Sequence, residues 1–167
     1  YPADPFDRWW PPTPSISSPL LDDVSTNSTV RNLPQDSFEV PSVVMQTAVT
    51  PVNSSSIVIQ WHSALGGDVN QFFPILHISE ILDLSGTNQS RQFNICVNGL
   101  QWVGDTMSPV YLNSAAVYSL VPLPSSPTYN ISLEALSNST LPPILNAFEL
   151  YMTMSNTSVD SDAGAGR

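Results

Sequence analysis

An alternating run that leads directly into an asparagine–glycine pair sets the strongest limit on how this chain can fold. In Arg91–Asn98 the apolar residues Phe93, Ile95 and Val97 fall on one side, and mostly polar residues fall on the other. This period of two is typical of a half-buried β-strand. Asn98-Gly99 favours a type I′ hairpin turn, because both central residues of that turn need a positive φ. The partner strand is predicted at Leu100–Val103.

Short strand-like runs separated by turns continue on both sides of this hairpin. The other predicted strands are Val43–Val49, Ser56–Trp61, Phe72–Glu80, Val110–Leu112, Ala116–Leu120, Tyr129–Leu133 and Ala147–Met154, with a polar loop or weak strand at Asp22–Asn32 and a turn at Gly66–Asp68. No segment keeps the 3.6-residue apolar period of a helix, and at most one helical turn is expected, near Ile78–Leu82. Many short strands in 167 residues predict a single all-β sandwich or barrel.

The charge balance excludes several classes of partner. The chain has 4 basic residues, all arginine, against 14 acidic ones, which gives a formal net charge of −10. Nucleic acid and anionic membrane surfaces are bound through Lys and Arg, so neither is predicted as a partner. The chain is 41% hydrophobic, and we therefore expect it to fold rather than to remain disordered.

The sequence indicates a secreted glycoprotein. Only 11% of the residues are charged, against about 25% in a typical soluble domain, so we expect sugar to keep the surface soluble. Acceptor sequons of the form Asn-X-Ser/Thr occur at Asn27, Asn53, Asn88, Asn130, Asn138 and Asn156. The alternative is that a chain rich in Ser and Thr makes sequons by accident. Cys96 is the single cysteine, which excludes an intrachain disulfide, and it is expected to be a small buried hydrophobe.

The first 20 residues differ from the rest of the chain. Four large aromatic residues lie between Tyr1 and Trp10, and four prolines follow by Pro19. Proline fixes φ and removes a hydrogen-bond donor, so this segment is predicted to be extended or looped. The aromatic residues should pack onto this domain or onto a neighbour. The predicted organisation is an extended N-terminal arm (1–20), a β-sandwich (21–156) and a mobile polar tail (157–167).

Seven segments carry a resemblance to a known family. They are Tyr1–Trp10, Pro41–Pro51, His77–Ile81, Arg91–Ile95, Asn98-Gly99, Pro109–Leu112 and Ser139–Tyr151. In this order they resemble the second of the two malectin-type units in the ectodomain of plant leucine-rich-repeat receptor-like kinases. The resemblance implies a jelly-roll-like β-sandwich, malectin-like, in an extracellular plant protein at the cell surface or in the cell wall. The first unit, the leucine-rich repeats, a membrane helix and a kinase domain have no counterpart in this sequence, so any membrane association would need a downstream segment.

Two functions of different classes follow from these observations. The resemblance implies a non-enzymatic recognition module that binds a cell-wall glycan or a peptide, with no cofactor. The alternative is a structural glycoprotein that assembles with copies of itself. Its basis is the N-terminal arm, which resembles a segment that bridges two units. Docked on the next copy, such an arm would build a head-to-tail filament.

Polar constellations in the sequence do not predict catalysis. His77 and Glu80 are three residues apart at a strand end, where a base and a carboxylate could meet, but their expected role is to satisfy backbone groups at the strand-to-loop transition. His62 follows Trp61 and is expected to face solvent. Because neither histidine lies among clustered carboxylates, the sequence predicts no catalytic residue and no metal site.

One carboxylate and several aromatic side chains remain as structural or binding candidates. Glu149 lies in an alternating strand and is expected to form a structural ion pair with Arg91 or Arg31. Aromatic rings pack against the apolar faces of sugars and against other proteins. The candidate ligand or assembly contacts are therefore Trp9, Trp10, Trp102 and Tyr111, with packing inside the domain or between units as the alternative.

Overall fold

The computed structural model describes residues 4–11, 21–63 and 71–153. The rest of the predicted arm, the turn at Gly66–Asp68, Asn156 and the predicted tail lie outside the described residues. The described elements, in chain order, are β1 (Leu21–Ser25), β2 (Arg31–Asn32), α1 (Ser42–Met45), β3 (Thr47–Pro51), β4 (Ser56–His62), β5 (Phe72–Ile78), β6 (Phe93–Val97), β7 (Leu100–Gln101), β8 (Asn113–Tyr118), β9 (Thr128–Ala135) and β10 (Ala147–Met152).

Two four-stranded sheets form the domain. The first sheet has the strand order β10-β5-β8-β2, and the second has the order β4-β9-β6-β7. A separate ribbon joins β1 to β3. The named pairs are antiparallel apart from the short parallel contact of β2 with β8. Each sheet mixes strands that are distant in sequence, and the predicted jelly-roll-like β-sandwich is therefore confirmed.

A continuous apolar core lies between the sheets. It contains Leu76 and Ile78 from the first sheet and Ile57, Ile131 and Leu133 from the second, all fully buried. An aromatic cluster closes one side of this core, where Trp61 stacks on Tyr129 and meets Phe72 and Phe148. Burial of this apolar surface is the main favourable term in folding the domain.

The alternating run and its turn fold as predicted. Phe93, Ile95 and Val97 of β6 are buried, whereas the residues between them are half-buried. Asn98 and Gly99 have φ values of 49° and 78°, which are the positive angles of a type I′ turn. The strand after this turn is shorter than predicted, because β7 ends at Gln101.

The predicted strand Val43–Val49 is wrong in its first half. Residues Ser42–Met45 form one helical turn, and the strand begins only at Thr47. The amides of Val44 and Met45 donate to the carbonyl of Pro41, and Met45 is fully buried. Core packing therefore overrides the β-preference of the two valines. In the described ranges no helix is long and apolar enough to span a bilayer.

The helical turn predicted near Ile78–Leu82 is absent, because the carboxylate of Glu80 occupies the amides that such a turn would use. Its Oε1 accepts from the backbone N–H groups of Ile81 and Leu82, at 3.1 Å each. Residues Val110–Leu112 also form no strand; Tyr111 makes a single bridge to Glu80. The strand predicted at Ala116–Leu120 starts three residues earlier, at Asn113, and ends at Tyr118.

The Asn98-Gly99 turn gives a direct test of this hairpin. A Cβ added at Gly99 would meet nothing within 4 Å, so only its φ of 78° opposes a side chain. Gly99→Ala is expected to lower the free energy of unfolding by about 1–2 kcal/mol, measured by urea denaturation. Gly104→Ala is the matched control, because Gly104 is equally open and has no positive φ. An equal effect of the two substitutions would contradict the type I′ assignment.

Candidate binding site

The first sheet carries the candidate site on the face that points away from the core. Across the sheet, Glu149 lies opposite Ile75 and Ile75 opposite Tyr118, while His77 lies opposite Ala116. Residues in register point to the same side of a sheet. The intervening residues Leu76 and Val117 belong to the core, so Glu149, His77 and Tyr118 share the outer face.

Residues 4–11, hereafter the strap, are tied to this outer face through Arg8. One terminal nitrogen of the Arg8 guanidinium donates to Oε1 of Glu149 at 3.0 Å, and the other donates to the carbonyl oxygen of Phe38 at 2.6 Å. Its Nε donates to the carboxylate of Asp4. The planar arginine fork suits several directed contacts of this kind. Arg8 therefore joins the strap to β10 and to the loop before α1.

Asp4 organises the strap itself. Its carboxylate is fully buried and accepts from the backbone N–H of Phe6 at 2.8 Å and from Nε1 of Trp10 at 2.6 Å, as well as from Arg8. Burial raises the pKa of the Asp4 carboxyl, but the hydrogen bonds from Trp10, Phe6 and Arg8 outweigh it and lower that pKa overall. The ionised carboxylate thus folds the strap into a compact turn.

Glu149 is the matching acceptor on the sheet. Besides Arg8, Oε1 accepts from Nε2 of His77 at 2.7 Å, and Oε2 accepts from the hydroxyl of Tyr151 at 2.6 Å. Burial raises the pKa of the Glu149 carboxyl, yet the hydrogen bonds from His77 and Tyr151 and the positive charge of Arg8 lower it overall. Burial and the same carboxylate raise the pKa of Tyr151 to about 12. The predicted ion pair of Glu149 is present, but its predicted partners, Arg91 and Arg31, are wrong.

A row of rings connects this polar cluster to a neighbouring cleft. The rings of Trp10 and Phe38 meet His77 edge-on at centroid distances of 6.1 and 5.7 Å. Phe38 also meets Tyr118 edge-on at 4.9 Å. Edge-to-face contacts at these distances are favourable. Phe38 therefore separates the Glu149 cluster from the cleft.

The cleft, of about 220 Å³, lies between the loop after β2 and the outer face of β8. Its lining residues are Leu33, Gln35, Asp36, Ser37, Phe38, Ser114, Ala115, Ala116 and Tyr118. Apolar and aromatic groups form much of the wall, and the polar groups among them are a carboxylate, an amide and three hydroxyls. A small ligand can be oriented by a few polar groups placed beside apolar and aromatic ones in this way.

Two polar atoms of the cleft residues are buried and lack hydrogen-bond partners among the described residues. They are Oδ2 of Asp36 and Oγ of Ser114. Oδ1 of Asp36 accepts from the backbone N–H of Phe38 at 2.9 Å, so the carboxylate is held in place while its second oxygen is unused. Buried polar atoms without partners are uncommon, and each needs an explanation such as a ligand or a bound water.

The aromatic residues predicted as contacts lie in several places. Trp9 is 82% exposed on the strap, whereas Trp10 is half-buried against His77. Trp102 is half-buried and packs on the core behind the Asn98-Gly99 hairpin. Tyr111 is 41% exposed and lies beside Glu80. None of these four residues lines the cleft.

His77 and Glu80 lie three residues apart in the sequence but belong to different clusters. Glu80 accepts from backbone amides, as predicted, and also from Nε of Arg91 at 2.7 Å. Arg91 donates in addition to the carbonyl of Pro142. His77 contacts Glu149 instead. His62 is exposed, as predicted. Among residues 4–11, 21–63 and 71–153, no three His, Cys, Asp or Glu side chains lie close enough to hold a metal ion.

The residues of the cleft were missed by sequence reasoning. Ser114 and Tyr118 are four apart in one strand and therefore share a face, which the sequence could have indicated. Asp36 and Phe38 come from a loop almost 80 residues earlier, and no local pattern relates that loop to β8. Only the fold brings the two segments together.

Comparison of the sequence with known proteins places the chain in one family. The family model for the malectin-like domain matches residues 1–153. A probable LRR receptor-like serine/threonine-protein kinase of Arabidopsis thaliana is 31% identical over 97% of this chain, which spans 18% of that relative's length.

Solved structures share the fold. The crystal structure of the ANX2 ectodomain from Arabidopsis thaliana matches 80% of this chain and 39% of its own, with a TM-score of 0.59 and 14% identity. A chain from the crystal structure of plant peptide RALF23 in complex with FER and LLG2 matches 81% of this chain and 40% of its own, with a TM-score of 0.57 and 15% identity. At such identity these matches establish the fold alone.

The contacts of Asp4 and Glu149 should make stability depend on pH. Both pKa values are lowered in the folded state, so their contribution is fully present above the ordinary carboxyl pKa of about 4 and is lost as the pH falls through the lowered folded values. The free energy of unfolding, measured by urea denaturation from pH 7 to 3, is expected to drop on acidification, and Glu149→Gln should flatten this drop. Asp105→Asn, at an exposed carboxylate, is the control. Equal pH slopes for wild type and Glu149→Gln would contradict the assignment.

Proposed function

The chain belongs to the malectin-like domain family, and from that premise we propose that it is an extracellular recognition module that binds a ligand and catalyses no reaction. Its relatives are receptor-like kinases of which it spans less than a fifth. The proposal therefore concerns this domain and not the signalling of a whole receptor. The extracellular location is supported by the six sequons and by the ectodomain structures that share the fold.

The cleft beside Phe38 and Tyr118 carries this proposal. Tyr118 is 45% exposed and offers an aromatic surface, while Asp36 and Ser114 hold unpartnered polar atoms at the same place. Asp36 contributes a negative charge and the lining contains no basic residue. Such a site suits groups that donate hydrogen bonds and disfavours anions.

A neutral cell-wall oligosaccharide is the ligand that this cleft fits best. Sugar hydroxyls both donate and accept, and the lining supplies carboxylate, amide and hydroxyl groups beside an aromatic ring. A peptide is the second candidate, because one structure of the same fold contains the peptide RALF23. A peptide would enter with a basic or hydroxylated side chain, for the same electrostatic reason.

Self-assembly through the N-terminal arm is the alternative function. In this chain Arg8, Asp4 and Trp10 are engaged with the same domain, so these three would not be the groups that reach a second copy. Trp9 and Phe6, 82% and 57% exposed, are the strap residues left for such a contact. The mass of the native protein before and after deglycosylation distinguishes a monomeric recognition module from a heterogeneous polymer.

We expect two substitutions in the cleft to weaken binding. Asp36→Asn keeps the oxygen that holds Phe38 but turns the free acceptor into a donor, and Tyr118→Ala removes the exposed ring. Asp36→Asn should weaken binding about 10- to 100-fold, as for loss of a hydrogen bond to a charged group, and Tyr118→Ala should weaken it because the aromatic contact surface is lost. Calorimetry with neutral cello-, xylo- and manno-oligosaccharides and with a Lys/Arg-rich peptide measures this. Tyr111→Ala is the control. Loss of binding in the control alone, or no binding by any probe, would contradict the proposal.

The sequons give an independent test of secretion. Asn27, Asn53, Asn88 and Asn138 are exposed, while Asn130 is half-buried in β9 between two neighbouring strands. In a plant secretory host we expect glycans at the four exposed sites and not at Asn130. Peptide mass mapping after enzymatic release, which converts each glycosylated Asn to Asp, detects them. Unmodified asparagine at all four sites would count against the secreted assignment.

A further inference from the structure

We propose that Arg8 is a positioning residue for the cleft, so that the strap sets the shape of the binding site without touching the ligand. The inference deepens the proposed function and rests on it in one respect, namely that the cleft binds a ligand. Its structural content, that the strap holds one wall of the cleft, can be tested without any ligand.

The connection runs through the backbone of Phe38. The carbonyl oxygen of Phe38 accepts from Arg8 at 2.6 Å, and the backbone N–H of the same residue donates to Oδ1 of Asp36 at 2.9 Å. One residue is thus held on both sides of its backbone, by the strap and by the carboxylate that belongs to the cleft. The ring of Phe38 is held as well, between His77 and Tyr118.

The strap itself is fixed to the sheet by a separate set of contacts. Arg8 is 12% exposed in its side chain and pairs with Glu149, which in turn is held by His77 and Tyr151. The Arg8 guanidinium also lies 4.9 Å from the ring of Trp10 and 5.1 Å from that of Phe6, which are favourable cation–π distances. The guanidinium therefore has a fixed position relative to β10. Its hydrogen bond to the carbonyl of Phe38 fixes the loop relative to β10 as well.

The loop between β2 and α1 is held by few other hydrogen bonds. Between β2 and α1 the chain forms no helix or strand, and its local hydrogen bonds are a turn from Asp36 to Leu33 and the contact of Phe38 with Asp36. Asn32 also reaches the carbonyl of Val40 with its side chain. A loop with few backbone contacts opens at low free-energy cost, so a charged hydrogen bond to Phe38 has a large effect on its position.

Hydrogen–deuterium exchange of the full chain tests the inference. In Arg8→Ala we expect the amides of Asp36 and Phe38, which donate hydrogen bonds within residues 33–40, to exchange about tenfold faster, as for loss of a hydrogen bond to a charged group, with residues 114–118 of the facing strand faster by less. The second sheet should be unchanged. Trp9→Ala is the matched control, because Trp9 is the neighbouring strap residue and is 82% exposed. Unchanged exchange in residues 33–40, or a uniform rise across both sheets, would overturn the proposal.

Two further variants separate positioning from simple ion pairing. Glu149→Gln keeps an oxygen that can accept from Arg8 but removes the negative charge, so exchange in residues 33–40 should rise less than in Arg8→Ala. Arg8→Lys keeps the charge but lacks the planar fork and should be intermediate. If Glu149→Gln matched Arg8→Ala, the ion pair and not the contact with Phe38 would control the loop. Because these readouts need no ligand, failure of every binding probe would remove the proposed function and leave this result standing.

Discussion

Buried carboxylates need partners, and this chain has only four basic residues, all arginine, with which to supply them. Glu80 pairs with Arg91, whereas Glu149 and Asp4 share Arg8. Removing one member of a buried pair leaves an uncompensated charge at a cost of about 3–5 kcal/mol. The remaining acceptor positions are filled by other donors, namely the amides after Glu80 and the side chains of His77 and Tyr151.

These two pairs also join segments that are far apart in sequence. Arg91 links the start of β6 to Glu80 and to the carbonyl of Pro142, 51 residues later. Arg8 links the strap to Glu149, 141 residues later. The two sheets consequently differ on their outer faces. The outer face of the second sheet carries polar residues such as Gln60, Asn94 and Asn130. The outer face of the first sheet is covered by the strap and by Phe38, and the cleft lies at the edge of this cover.

The parts of the fold that follow from short-range patterns could be predicted from the sequence. The alternation of Phe93, Ile95 and Val97 and the Asn98-Gly99 turn need no distant contact to take their form. The helical turn at Ser42–Met45 could not be predicted, because β-branched valines enter a helix there only to bury Met45. The same holds for Glu149: its need for a cation was predictable, but the choice of Arg8 over Arg91 depends on which segments the sheet order brings together. The cleft depends entirely on a contact of this kind, between the loop after β2 and strand β8.

The polar contacts of the strap restrict how the strap can move on the sheet. An apolar segment could slide on an apolar face with little change in free energy, because hydrophobic contact is not directional. The contacts of Arg8 are directional, and each acceptor fixes the guanidinium in a different direction: Asp4 within the strap, Glu149 on the sheet and Phe38 on the loop. Displacing the strap would take Arg8 from Glu149 on a face that the strap had shielded from water, and would remove the ring of Trp10 from His77. The strap is therefore expected to occupy one position or to release as a unit, and the wall of the cleft that contains Phe38 must follow it.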